Sequence, residues 1–221
     1  ELAARRTPPT DPAAWRALSP TLAPEITGPT YRDALVKRLM ADPPWRKDML
    51  AQLATSNQHT TALASIFAAL KTGATPPTEE ELRPFLLRLV ADGRIEQAYI
   101  FWLGTLTDER KPAGDLLYNA RFQFPVSNMP FDWSIEAIDG ASTRLARLGA
   151  ARILNVDFFG SRVPFRHVQQ WLLLPPGDYV FSGLQRAQGR INDRGMRWRF
   201  SCADDPSGQL AATDLISGTR A

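Results

Sequence analysis

The chain has 221 residues, 44% hydrophobic and 22% charged, with a formal net charge of +3. This is the composition of a globular protein long enough for one large domain or two small ones. The basic residues are scattered and form no block, so charge gives no support to a nucleic-acid partner. The apolar runs are too short to span a bilayer.

The single cysteine, Cys202, rules out an intramolecular disulfide and leaves the redox compartment open. No stretch reads as a signal peptide. The first residue is Glu1 rather than Met, so a removed leader or a trimmed beginning both stay open.

Residues 1–29 carry Pro8, Pro9, Pro12, Pro20, Pro24 and Pro29. This density excludes a long helix and predicts an extended leader with one short helical turn near residues 11–18. From Thr30 the apolar spacing becomes helical. Tyr31, Leu35, Val36, Leu39 and Met40 share one face, with Thr30 as the expected cap. Asp42-Pro43-Pro44 ends this helix and is expected to start the next. Trp45, Met49, Leu50 and Leu53 form the second stripe. Leu63, Ile66, Phe67 and Leu70 form a third, which stops at Gly73. Thr78 with Glu81 is a capping box ahead of Leu82, Phe85, Leu86 and Leu89. Pro84 is expected to kink that helix or delay its start. Asp92-Gly93 turns the chain into a last helix carrying Ile95, Ala98, Tyr99, Trp102, Leu103 and Leu106.

These elements predict a helical hairpin domain over 30–110. The two hairpins repeat at roughly 35 residues, near the 34 of a tetratricopeptide. Asp92 to Tyr99 resembles the first helix of such a repeat, although its Trp-Leu-Gly-Tyr spacing is absent. A small helical bundle packed on a neighbour is the alternative.

Lys111 to Gly114 marks the expected boundary, and a β-domain is expected over 115–221. Asn119 to Pro125 and Pro130 to Glu136 are the first expected strands, with Phe131, Trp133 and Ile135 on one face and Asp132, Ser134 and Glu136 on the other. Alternation recurs in Ile153 to Phe159, where Leu154, Val156 and Phe158 oppose Asn155 and Asp157. It recurs again from Val168 to Leu174, near Tyr179 to Arg186, from Gly195 to Cys202, where Trp198 and Cys202 are expected inside, and near residues 209–216. One-sided patterning over about seven or eight strands predicts two packed antiparallel sheets. The fold class is therefore α+β in two domains.

The segment Asn119-Ala-Arg-Phe-Gln123, the turn Leu174-Pro-Pro-Gly-Asp-Tyr179 and Arg194 to Trp198 resemble jelly-roll carbohydrate-binding modules. Ser217-Gly-Thr219 resembles the dipeptide before a final strand in those modules, and that strand would lie past Ala221. Ala120 and Gln123 depart from the pattern and put in doubt a metal site that some relatives carry there. Helical repeats joined to such a module resemble bacterial envelope proteins linked to exported polysaccharide. The resemblance implies a periplasmic or envelope-associated protein that binds a polysaccharide or oligosaccharide without catalysis. A second envelope protein would bind through the helical half.

Sugar recognition needs a flat aromatic face and planar polar groups beside it. On the expected phasing Trp171 is the stacking platform. Gln169, Asn155, Asp157, Arg186, Arg197 and Arg199 are its polar surround. The arginines would suit carboxylate-bearing glycans. Packing of Trp171 under a loop or against the helices is the alternative, and makes the chain a protein-interaction scaffold. The two histidines, His59 and His167, lack partners at ligand spacing, so no metal is expected. No phosphate loop, dinucleotide fingerprint or catalytic set is present, so neither a cofactor nor an enzyme is expected.

Overall fold

The computed structural model describes residues 28–111, 116–160, 163–188, 195–205 and 207–215. It is a mixed α+β chain that divides into two compact units, Glu1–Leu173 and Leu174–Ala221. The leader expected over 1–29 lies outside the described residues up to residue 27, as do Ile191 to Arg194 and the end of the chain from Ile216.

Among the described residues the first unit has five α-helices: α1 (Pro29–Leu39), α2 (Arg46–Leu53), α3 (Thr60–Lys71), α4 (Glu79–Ala91) and α5 (Ile95–Leu103). Each follows its apolar stripe, but two starts differ from expectation. Pro29, not Thr30, leads α1, because proline's fixed φ suits the first helical position. Asp42 adopts a left-handed φ of 51°, so the chain turns through Pro43-Pro44 and α2 begins only at Arg46. The Thr78–Glu81 capping box forms in both directions, and α4 starts at Glu79 and runs through Pro84. Helix α1 packs on α3, α2 on α4, and α4 on both α3 and α5.

The buried face holds Leu39, Leu50, Leu63, Ile66, Leu70, Phe85, Leu86 and Leu89, each with no exposed surface. Phe67 stacks on Phe85 with ring centroids 4.8 Å apart, and Phe101 meets Phe85 edge-on at 5.2 Å. Thr60 Oγ1 donates to Asp92 Oδ2 at 2.7 Å, tying the start of α3 to the end of α4.

His59, just before α3, is 6% exposed and its Nδ1 has no hydrogen-bond partner among the described residues. Burial pushes its imidazole below the ordinary value, because the charged form loses hydration. The fold therefore favours the neutral ring. That contribution is complete above the unfolded value of 6.5 and is lost as pH falls through it toward the lower folded value. The unfolding free energy should drop between about pH 7 and about pH 5, and His59→Gln should remove part of that drop. Denaturant titrations at both pH values measure this; an acid limb identical in wild type and variant contradicts it.

The boundary expected over 111–114 falls mostly on residues 112–115, outside the described residues. On either side of it the core is continuous. Trp102 of α5 meets Tyr118 edge-on at 4.9 Å and Phe131 at 5.6 Å, and Tyr99 meets Phe131 at 5.1 Å. Arg83 of α4 donates from Nε to the Asn128 carbonyl at 2.9 Å. The compact units divide later, between Leu173 and Leu174.

Residues 118–133 also differ from the expected strands. Asn119 and Phe122 both take a φ of 52°, which an extended strand excludes. Two buried side chains replace the ladder. Asn119 Nδ2 donates to the Phe124 carbonyl at 3.1 Å, and its Oδ1 accepts from the Phe124 N–H at 3.0 Å. Asp132 accepts from the Ser127 N–H and hydroxyl, both at 2.8 Å, and from the Trp133 N–H at 2.8 Å. Asn and Asp offer the backbone local partners that compete with a sheet. Asp132 is consequently 0% exposed, not on a solvent face.

The strands are β1 (Ser134–Ile135), β2 (Ala141–Leu148), β3 (Ala151–Phe158), β4 (Val168–Gln169), β5 (Arg199–Phe200) and β6 (Ala211–Ala212). Among the described residues they form three two-stranded antiparallel sheets: β1 with β4, β2 with β3, and β5 with β6. Strand β2 was not expected. Leu145 with Leu148 and Arg144 with Arg147 repeat at a helical three-residue spacing, which hides its alternation.

In the second unit Phe181 contacts Trp198 at 6.0 Å and Phe200 at 5.0 Å, while Arg197 and Arg199 are exposed. Cys202, expected inside, is exposed.

Candidate functional site

The expected site residues fall into three groups. Trp171 is half-buried and packs against the helical core. Its N–H donates to the Pro130 carbonyl at 2.9 Å. With Tyr99, Trp102, Tyr118, Phe131 and Gln170 it lines a cavity of about 50 Å³, room for one or two waters and too small for a sugar ring. Burial pushes the Tyr118 hydroxyl there above its ordinary value, against the opposing pull of Arg110. Gln170 donates from Nε2 to the Tyr118 carbonyl at 3.1 Å and the Phe131 carbonyl at 2.8 Å. Trp171 therefore belongs to the wall of the core. Gln169 is exposed and pairs with Ser134.

Arg186, Arg197 and Arg199 belong to the second unit. All three are exposed. Arg186 meets the side-chain amide of Gln188, and Arg199 donates to the Ser207 carbonyl at 3.5 Å.

Asn155 and Asp157 are brought together on the β2–β3 hairpin. Gly149, with φ of 61°, opens a two-residue turn between Leu148 and Ala151. Glycine at that first turn position suits the right-handed strand twist. The Phe159 N–H donates to the Gly140 carbonyl at 2.9 Å, extending the ladder by one residue beyond β3. Side chains alternate along a strand, so Asn155, Asp157 and Phe159 share one face. The register sets Arg144 opposite Asn155 and Ser142 opposite Asp157.

On that face Asn155 donates from Nδ2 to Asp157 Oδ2 at 2.7 Å, and Arg144 pairs with the same oxygen at 3.1 Å. Both ion-pair partners are well exposed, so solvent screens the pair and it adds little stability. It does hold three planar polar groups in one arrangement. Among the described residues Asp157 Oδ1 and Asn155 Oδ1 have no protein partner. Phe159 stands about 7 Å along the strand from Asp157. Phe159 is 66% exposed, and its cross-strand neighbour Gly140 has no side chain to cover it.

The arrangement can stack an apolar ring face while fixing hydroxyls through a carboxylate, an amide and a guanidinium. Phe159 was missed, although extending the alternation of Asn155 and Asp157 by one step finds it. Arg144 was missed because β2 was not recognised. Among the described residues no three His, Cys, Asp or Glu side chains gather as metal ligands would, and no helix is long and apolar enough to cross a membrane. Compared with known proteins, the chain matches no family model, no curated protein and no solved structure.

Proposed function

We propose that this chain is a non-catalytic glycan-binding or polysaccharide-assembly protein of the bacterial cell envelope. The observation that carries this reading is the exposed Phe159 ring beside the Arg144–Asp157–Asn155 cluster. In the finer proposal the helices are tetratricopeptide-like hairpins, and the β-region is a jelly-roll-type sandwich with a periplasmic or envelope location. The glycan platform moves from Trp171 to Phe159, because Trp171 is held against the core.

Phe159→Ala should weaken oligosaccharide binding about tenfold, which is about 1.4 kcal/mol. It should leave the melting temperature nearly unchanged, since an exposed ring contributes little to stability. Calorimetric titration of both proteins with neutral and acidic oligosaccharides measures it. Equal affinity in wild type and variant would sink the reading.

The second reading is a protein-interaction scaffold. The packing of Trp171 on the helical core favours it, as do Leu87 and Ile100, which are 44% and 68% exposed on α4 and α5.

A further inference from the structure

The opposite face of the same hairpin carries a different feature. The bond from the Phe159 N–H to the Gly140 carbonyl makes that pair a hydrogen-bonded one. Hydrogen-bonded and non-hydrogen-bonded pairs alternate along an antiparallel ladder. Counting along the register, Arg147 opposite Arg152 is a non-hydrogen-bonded pair. Such positions hold their Cα atoms only about 4.5 Å apart, with the side chains at their closest. Two guanidinium groups directly across a ladder repel one another and destabilise it.

Among the described residues no acidic side chain pairs with either arginine. From Gly140 to Val156 the chain has three arginines and no acidic residue. Both Arg147 and Arg152 are exposed. Arg152 is nevertheless fixed. Its NH1 donates to the Gln123 carbonyl at 3.2 Å and, more weakly, to the Phe122 carbonyl at 3.5 Å. This contact brings the backbone at Phe122 and Gln123 to the hairpin end; Arg121, which precedes them, is exposed. From Leu116 to Phe131 the chain again has no acidic residue. Asp157 lies five residues along the strand from Arg152, roughly 16 Å away, and on the other face. That separation exceeds the Debye length of about 8 Å at physiological salt.

We propose that the Arg147–Arg152 cross-strand pair binds an oxyanion: a carboxylate or phosphate group carried by a ligand. A guanidinium presents a planar fork that matches such groups in pairs of hydrogen bonds. An oxyanion placed between the two forks removes the like-charge repulsion that the free hairpin carries. Arg152, held by backbone carbonyls, is the pre-set half of the site, and Arg147 is the half free to close on the ligand. The site is independent of the Phe159 face, so either can fail without the other.

The test uses the full chain at low and high salt, followed by heteronuclear shift titration. Three probes are used: inorganic phosphate, an oligogalacturonate as the carboxylate source, and a neutral oligosaccharide as control. Resonances of Arg147, Leu148 and Arg152 should move with phosphate, with oligogalacturonate or with both, and the shifts should shrink in high salt. Response to one probe alone assigns the source. Arg147→Glu should weaken binding about tenfold or more, while its melting temperature equals or exceeds that of wild type, since the cross-strand pair becomes attractive. Arg147→Gln should weaken binding roughly three- to fivefold, the size of one exposed charged contact, and carries the test if the glutamate variant misfolds. The proposal is overturned if neither anion moves these resonances at low salt, or if the variants bind as tightly as wild type.

Discussion

Replacing Arg46 with alanine should cost about 3–5 kcal/mol of stability, because it leaves a buried carboxylate without its partner. Arg46 is 2% exposed at the start of α2. Its NH2 pairs with Glu81 Oε2 at 2.9 Å. Its NH1 donates to the Leu39 carbonyl at 3.3 Å, to the Thr75 carbonyl at 3.1 Å and to Thr75 Oγ1 at 3.2 Å. Thr75 Oγ1 in turn donates to the Met40 carbonyl at 3.0 Å. One side chain thus joins the end of α1, the linker before α4 and the capping box of α4, where Glu81 Oε2 also accepts the Thr78 N–H at 2.9 Å. The carbonyls and the carboxylate would lose this donor together. The double replacement Arg46→Met with Glu81→Leu should recover much of the loss, since no charge is then buried unpaired. Urea denaturation of the wild type and both variants measures this. A loss below about 1 kcal/mol for Arg46→Ala, within the range of a surface pair, would contradict the buried clamp.

Trp102→Ala should cost about as much, roughly 3–5 kcal/mol, by cavity formation. Trp102 is 1% exposed and lies among Tyr99, Tyr118 and Phe131. Two of those rings come from beyond the expected boundary near residue 112. The variant should therefore broaden or shift side-chain resonances of Tyr118 and Phe131 as well as those of the helices. If it destabilises the helices alone and leaves Tyr118 and Phe131 unmoved, the core is not continuous across that point.

The helical part was legible because its signals are local. The stripe Leu63, Ile66, Phe67 and Leu70 and the capping box Thr78 to Glu81 each lie within four residues or two turns, and both appear where expected. The β-region was less legible, because alternation in sequence has more than one structural cause. Asn119 to Pro125 and Pro130 to Trp133 read as strand segments yet lie in loops held by Asn119 and Asp132, and no local pattern distinguishes an Asx-stapled loop from a strand. Conversely, β2 lacks clean alternation and is defined by its partner β3, whose pairing is non-local. The site followed the same division. Asn155 and Asp157 were found on one face because β3 does alternate. Phe159 sits one step beyond where that alternation was stopped. Trp171 was placed on the polar side by phasing alone, whereas its actual environment is set by α5 and Phe131, far away in sequence.

The central claim is that the Phe159 face of the hairpin is where this chain meets a glycan. A shift titration of the isotopically labelled full chain with a panel of neutral and acidic oligosaccharides tests it most directly. The account predicts that perturbations concentrate on Ser142, Arg144, Asn155, Asp157 and Phe159, with weak affinity on the order of micromolar to millimolar. Shifts confined to Trp171 and its neighbours, or no shift with any oligosaccharide, would contradict it.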